Sequence, residues 1–186
     1  MTAPRLLTDR LLIRPMSLDD AADLAERRSD RATAEFQAWT IPYPLDRATA
    51  LIEGMIAQGG PQRGSWFQFA MDRRKDGVTV GDLAFRLDAD GRNAELGFTL
   101  HPWARGEGFA TEGGRALLAY GFTVWGVHRF EASCHPGNVA SSRLLATLGF
   151  RYEGTSIESY WVGDVVSDDA HYALLRREWE DPKSAL

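Results

Sequence analysis

Glu95-Leu96-Gly97-Phe98-Thr99-Leu100, then His101-Pro102, then Arg105-Gly106-Glu107-Gly108-Phe109-Ala110, decide how the chain folds. The first run reads as a strand that the proline stops. A helix pattern of about Gly108 to Val124 follows, with Ala110, Leu117, Leu118 and Phe122 on its apolar side. A strand, a glycine-bearing loop and a helix in that order make a site for an anion. The first N–H groups of a helix have no internal partner, and the helix dipole adds about half a positive charge there. Gly106 and Gly108 let a pyrophosphate reach those donors, and Arg105 adds a planar cation for the same oxygens. Two glycines before a helix can also do no more than turn the chain.

Two other phosphate sites compete. Gly106-x-Gly108 is half of a dinucleotide fingerprint, and Glu131 lies near the offset of its ribose-binding acid. Against it, Thr111 stands where the third glycine belongs, and the segment follows antiparallel strands instead of opening a βαβ series. A Walker loop is excluded, because no Gly-Lys-Ser/Thr occurs.

Working outward toward the start, Trp66 to Met71 and Val78 to about Leu87 read as a hairpin around Asp76-Gly77, and Asp88-Ala89-Asp90-Gly91 turns into Glu95 to Leu100. Before them come a strand, Leu11 to Pro15, and a helix from about Asp19 to Ser29. Next are an aromatic, proline-bearing loop, Phe36 to Pro44, and a helix from Asp46 that Gln58-Gly59-Gly60-Pro61 ends. Toward the end, a strand from Arg129 to Ser133 leads to a helix from Asn138 through Leu148. A strand from Phe150 and an apolar run, His171 to Leu175, follow, with a short polar tail. The order predicts one α/β (α+β) domain over residues 1–186, built on a mixed, mostly antiparallel sheet of about seven strands with helices on both faces.

The 186 residues, 44% hydrophobic and 11% aromatic, are enough for one self-supporting core. A net charge of −5 argues against nucleic acid as a partner and suits a cationic acceptor. Cys134 alone cannot form an internal disulfide, and beside His135 it reads as a small buried residue before it reads as a nucleophile. The four histidines lack metal-ligand spacing, so no metal is expected. No leader or apolar span is apparent, which points to a cytoplasmic protein without a membrane partner.

Arg105-Gly106-Glu107-Gly108-Phe109-Ala110 resembles the Gln/Arg-x-x-Gly-x-Gly/Ala motif of the GNAT superfamily of N-acetyltransferases, and it stands in the matching place after the fourth strand. Other phrases are similar to that superfamily's Rim-type, ribosomal-protein N-terminal acetyltransferase-like branch. They are Thr8 to Pro15, Glu95 to Phe98, Ala110-Thr111-Glu112, Asn138 to Leu145 and Leu148-Gly149-Phe150. The resemblance covers about Thr8 to Trp179.

It implies acetyl coenzyme A as co-substrate and a GNAT fold. The pantetheine arm would pair with the backbone of Phe98, Thr99 and Leu100, and the phosphates would rest on the N–H groups of Gly106, Glu107, Gly108, Phe109, Ala110 and Thr111. Asn138 would bond the pantetheine, and Ser141 would donate a hydrogen bond to the departing thiolate. An N-cap pair would explain Asn138 and Ser141 equally. Glu95 would remove the amine proton through water, or serve as a strand residue paired with an arginine. Backbone N–H groups near Leu100 would stabilise the oxyanion.

Phe36, Trp39, Tyr43 and Trp161, the last beside Tyr160, are expected to wall the acceptor cleft, or to be ordinary packing. Gly163 to Asp169 would form an acidic lip where the family commonly carries basic residues. The acceptor implied is a primary amine, a protein or peptide N-terminus. A small amine such as an aminoglycoside or polyamine, or a non-catalytic acyl-CoA-binding module, stands as the alternative. Monomer and homodimer both remain open.

Overall fold

The computed structural model describes residues 3–37 and 39–181, so Ala38, the first two residues and the polar tail from 182 lie outside the described residues. The strands are β1 (Leu6–Leu7), β2 (Leu11–Pro15), β3 (Trp66–Arg73), β4 (Thr79–Leu87), β5 (Asn93–Leu100), β6 (Arg129–Cys134), β7 (Arg151–Val162) and β8 (Val165–Leu175). They form one sheet in the order β1-β2-β3-β4-β5-β6-β8-β7. The helices are α1 (Ala21–Ser29), α2 (Arg31–Ala34), α3 (Leu45–Gln58), α4 (Phe109–Thr123), α5 (Val139–Thr147) and α6 (Arg176–Glu180).

The expected mixed, mostly antiparallel sheet is present, with eight strands, since Leu6–Leu7 pairs with Leu12–Ile13 as a two-residue edge that carries no alternation to read. Two expectations need correction. The last strand begins at Val165 and not His171. Gly163-Asp164 is a tight turn, so the stretch expected as an acidic lip is the far arm of a long β7–β8 hairpin. Its half-buried Ser167-Asp168-Asp169 run, which shows no apolar alternation, hid the strand. A short helix, α2, also precedes the aromatic loop.

Side chains alternate across the strands, so the sheet has two unlike faces. One is apolar. Leu11, Met71 and Leu83 lie against Gly113 of α4, and Phe130 lies against Gly121 of the same helix. The other face is partly ionic and carries α1 and α3. Arg14 bonds Asp20 at 2.7 Å and Asp72 across the sheet, while the fully buried Arg27 side chain bonds Asp82 at 2.8 Å and also pairs with Asp23. A buried cation is tolerable only where such partners replace its water.

All neighbouring pairs run antiparallel except β5 and β6. That parallel register holds for Asn93–Arg129, Ala94–Phe130 and Glu95–Glu131, and there it stops. β4 stays paired with β5 as far as Leu100. Beyond Glu95, therefore, β5 has a strand on one side only, and its other edge carries backbone groups without a neighbouring strand.

Candidate active site

The unpaired edge of β5 leads into the loop that the sequence marked. Gly106 and Gly108 adopt φ of +79° and +80°, and Gly108 is the N-cap of α4. A Cβ added at Gly108 would meet only Arg10, at 3.4 Å, and one at Gly106 would meet nothing within 4 Å. The loop thus turns an open backbone surface outward. Glu112 N–H bonds the Gly108 carbonyl at 3.0 Å and is the first amide of α4 drawn into the ladder. Those of Phe109, Ala110 and Thr111 have no intrahelical acceptor, while the Phe109 and Ala110 side chains are buried and anchor the turn.

Arg105 makes its side-chain contacts with α2. Its guanidinium donates to Thr33 Oγ1 at 2.6 Å and lies 4.0 Å from Asp30, because the cap of α2 offers it oxygens that the loop does not. Arg10 stands at the loop instead. It lies 4.7 Å over the Phe109 ring, donates to the Glu107 carbonyl at 2.9 Å and pairs with Glu112. Thr8 Oγ1 and Arg10 N–H also bond Glu112 Oε1, at 2.6 and 2.8 Å. Burial pushes the Glu112 carboxyl up, and these donors more than reverse it. Sequence reasoning assigned Arg10 and Glu112 no role. The signal was their presence in two separate family phrases, which this clamp joins.

β5 itself is held from behind. Thr99 is buried and pairs across from Asp82, while His101 Nε2 lies 2.7 Å from Asp23 Oδ1. Gly81 sits so near that a Cβ there would come 2.2 Å from the Thr99 carbonyl. Phe98 and Leu100 are partly buried against the apolar face.

Across the gap, Asn138 Oδ1 accepts from Ser141 N–H at 3.1 Å and caps α5, so that oxygen is committed to the helix. The reciprocal half of the cap is not formed. Asn138 N–H bonds the His135 carbonyl instead, and the Ser141 hydroxyl makes no hydrogen bond among the described residues. Ser142, which the sequence reading passed over, accepts from Tyr172 Oη at 3.0 Å and lies 3.7 Å from Cys134 Sγ. Burial pushes the Cys134 thiol up, against a nucleophilic role.

Glu95 pairs with Arg86 at the point where the sheet opens. Burial raises its carboxyl above the ordinary value of 4.5, Arg86 opposes that rise, and Glu131 and Asp169 add to it. Tyr160, not Trp161, faces this group. Burial, Asp169 and Glu95 together raise its phenol, and Trp161, the next residue on the strand, points the other way and is largely exposed. A shallow cleft of about 260 Å³ lies beside Glu95, Arg86 and Glu131.

The expected aromatic wall is only partly there. Tyr43 is 4% exposed and its hydroxyl accepts from Arg28 at 2.9 Å, so it is core and has no surface to offer an acceptor. Trp39 packs on the core, lies over Arg28 and donates Nε1–H to the Arg28 carbonyl. Phe36 is half-buried and stacks 5.0 Å from His135. With Arg105 on Thr33 and His135 on Phe36, residues 30–37 span the ends of both diverging strands.

The sequence family described as acetyltransferase (GNAT) domain matches residues 10–151. Among curated relatives, an uncharacterized N-acetyltransferase, YnaD, of Bacillus subtilis (strain 168) is 26% identical over 94% of this chain and 98% of its own length. The ribosomal protein uS5 alanine N-acetyltransferase of Escherichia coli (strain K12) is 27% identical over 94% and 92%. A GNAT-family acetyltransferase structure from Bacillus anthracis superposes with TM-score 0.85 at 24% identity, covering 94% of this chain and all of its own. A Vibrio cholerae spermidine N-acetyltransferase in complex with CoA and spermine does so with TM-score 0.80 at 19% identity, covering 94% and 100%. Among the described residues, no group of three His, Cys, Asp or Glu could hold a metal, and no helix is long and apolar enough to cross a membrane.

Proposed function

Because the chain belongs to the GNAT family and is an N-acetyltransferase, we propose that it moves the acetyl group of acetyl coenzyme A to a protein or peptide N-terminus held beside Glu95. The observation that carries this reading is the end of β5–β6 pairing at Glu95 and Glu131, directly before the open Gly106–Thr111 backbone. An extended thiol arm can add to the free edge of β5 as a strand would, with its phosphates on the first amides of α4. The residues present fit that co-substrate, whose contribution is an acetyl thioester. Arg105 is left out, since its side chain serves α2.

The chain's own groups then have the following tasks. Glu95 accepts, through water, the proton that the attacking amine loses; burial raises its pKa, which makes it a stronger base than an ordinary carboxylate. Amide groups near Leu100 hold the carbonyl oxygen as the N–C bond forms. The Ser141 hydroxyl donates to the sulfur as the C–S bond breaks, and the thiolate then takes a proton from solvent. An α-amine of pKa ~7.7–8 needs little help, whereas a side-chain amine of pKa ~10.4 starts roughly 3.5 kcal/mol further from its neutral form.

Acetylation of a polyamine is the second reading. Glu131 and Asp169 beside Glu95 favour it, as does the V. cholerae relative's complex with spermine. A panel of N-terminal peptides and small amines, assayed by thiol release, separates the two. Turnover of peptides alone is the expected result, and turnover of polyamines with no peptide accepted would replace the first reading by the second.

A further inference from the structure

Toward the tip of the β7–β8 hairpin the pairing is uneven. Ser156 stands opposite Asp169 and Tyr160 opposite Ser167, so three residues of β7, Ile157, Glu158 and Ser159, face Asp168 alone. Asp168 Oδ1 pins this bulge by accepting the Glu158 N–H at 2.8 Å. We propose that Asp168 is a positioning residue, whose hold on the bulge sets Tyr160 on the sheet face of Glu95, and that the Tyr160 hydroxyl there binds the incoming amine. The second half rests on the reading that the acceptor is held beside Glu95.

Glu95 lies opposite Glu131 and Glu131 opposite Ala173, and alternation along β8 carries that face through His171 and Asp169 to Ser167. Tyr160, opposite Ser167, therefore shares the face of Glu95. Counted one for one from the pair of Ser156 with Asp169, the residue opposite Ser167 would be Glu158. The two extra residues thus exchange a carboxylate for a phenol on that face, and they leave the alternation of the strand unreversed. Burial, Asp169 and Glu95 all raise the phenol, as expected of a hydroxyl set among those carboxylates.

Glu158 has a φ of +48°, the only positive value of a non-glycine residue among the described residues. A Cβ makes that region unfavourable, and a residue stays in it where its surroundings hold it. Ile157, Glu158 and Ser159 are all exposed, so packing does not hold them. The restraint is polar: the Asp168 carboxylate on Glu158, and Ser159 Oγ donating to the Ser156 carbonyl at 3.1 Å.

Tyr160 is also chemically available. It is 38% exposed, and its hydroxyl makes no hydrogen bond among the described residues. A phenol in that state can accept from an ammonium or donate to a neutral amine.

Fluorine NMR and steady-state kinetics of the full chain test the two halves. With 3-fluorotyrosine incorporated, the Tyr160 resonance, assigned by its loss in Tyr160→Phe, should move when Glu95→Gln is made in the wild-type chain. It should not respond to the same substitution once Asp168→Ala is present. A resonance that senses Glu95 equally with and without Asp168 overturns the positioning claim. For kinetics, the acceptor is the peptide or amine of the panel with the highest turnover. Tyr160→Phe and Asp168→Ala should each raise its KM by about fivefold and change kcat by less than about twofold. The double variant should be no worse than either single one, since Asp168 acts through Tyr160. Asp168→Asn keeps the acceptor oxygen and should restore the wild-type KM. Deleting Glu158 and Ser159 leaves Ile157 alone against Asp168 and keeps Tyr160 opposite Ser167, so in that shortened chain Asp168→Ala should not alter KM. Additive effects of Tyr160→Phe and Asp168→Ala, or an Asp168→Ala chain that melts earlier with KM unchanged, overturn the proposal. If no amine is acetylated, the acceptor reading falls and takes the Tyr160 contact with it, whereas the resonance still decides the role of Asp168.

Discussion

The proposed donor side of the molecule, β4, β5 and the start of α4, and the proposed acceptor side, residues 30–37 with the β7–β8 hairpin, are built by opposite means. The donor side presents backbone. Its side chains point into the interior, where Thr99, Phe109 and Ala110 are buried and Asp82 is 2% exposed against Arg27. The acceptor side presents side chains from distant segments. Glu95, Glu131, Tyr160 and Asp169 come from four strands, and the hairpin that carries two of them leaves Ile157, Trp161 and Val165 in solvent. A backbone site needs rigidity, which burial supplies. A side-chain site can change its residues without disturbing the sheet.

Breaking the donor side should therefore cost stability first. Asp82→Ala leaves Arg27 charged, buried and one partner short, and urea unfolding should show a loss of about 3–5 kcal/mol. A loss under ~1 kcal/mol would mean that Asp23 alone suffices, and that the ionic face is not what stiffens β5.

Glu95→Gln should act on rate and spare the fold. A fall in kcat of at least ~10²-fold is expected, together with loss of the acidic limb of the pH–rate profile, because wild type loses its base as pH falls through the raised Glu95 pKa. The sign for stability is the reverse of the usual carboxylate. A folded pKa above the unfolded one favours the folded protein as pH drops through it, so the substitution should be neutral or slightly stabilising at pH 7. An unchanged profile would return Glu95 to its pairing with Arg86.

Gly108→Val sharpens the comparison, since it alters backbone geometry and not a functional side chain. The left-handed φ costs about 1–2 kcal/mol for a residue with a Cβ. Coenzyme A binding by calorimetry should weaken more than about tenfold as that Cβ crowds the amides. Equal affinity would move the phosphates off this loop.

The smallest effects belong to the far end of the sheet. Hydrogen bonds from Arg129, opposed by burial and joined by Arg151, hold Glu153 at about 2. Its contribution is present above the unfolded value near 4.5 and lost as pH falls toward 2. The group is largely solvated, so Glu153→Gln should change stability by less than ~1 kcal/mol at pH 7. Trp161→Ala, at an exposed hairpin position, should stay within about 0.5 kcal/mol in the same urea experiment. A larger loss would mean that the arm packs on something in solution.

The same division explains what was legible. Phe98 to Thr111 could be read from the chain because a strand, a stop and a glycine-opened helix are local patterns with fixed periods. Glu112 and Arg10 stood in recognisable phrases, yet their mutual bond joins residues far apart in sequence, which no period encodes. Where Tyr43 and Arg105 place their side chains could not be read for a related reason. Aromatics near a cleft and an arginine near a phosphate loop each have two destinations, and only neighbours brought by the fold, Arg28 for one and Thr33 for the other, select between them. The β7–β8 arm was shortened because Ser167-Asp168-Asp169, though half-buried, are all polar and carry none of the apolar alternation by which a strand is read.

By itself, then, the sequence determined the order of elements, the glycine-opened helix start and the family, since these rest on local periodicity and on backbone groups that every residue carries. Tertiary structure alone decided where the β5–β6 pairing ends, which cations face the loop and which side chains surround Glu95. Those depend on distances between segments far apart along the chain, and burial and charge pairing fix them only once the sheet is assembled.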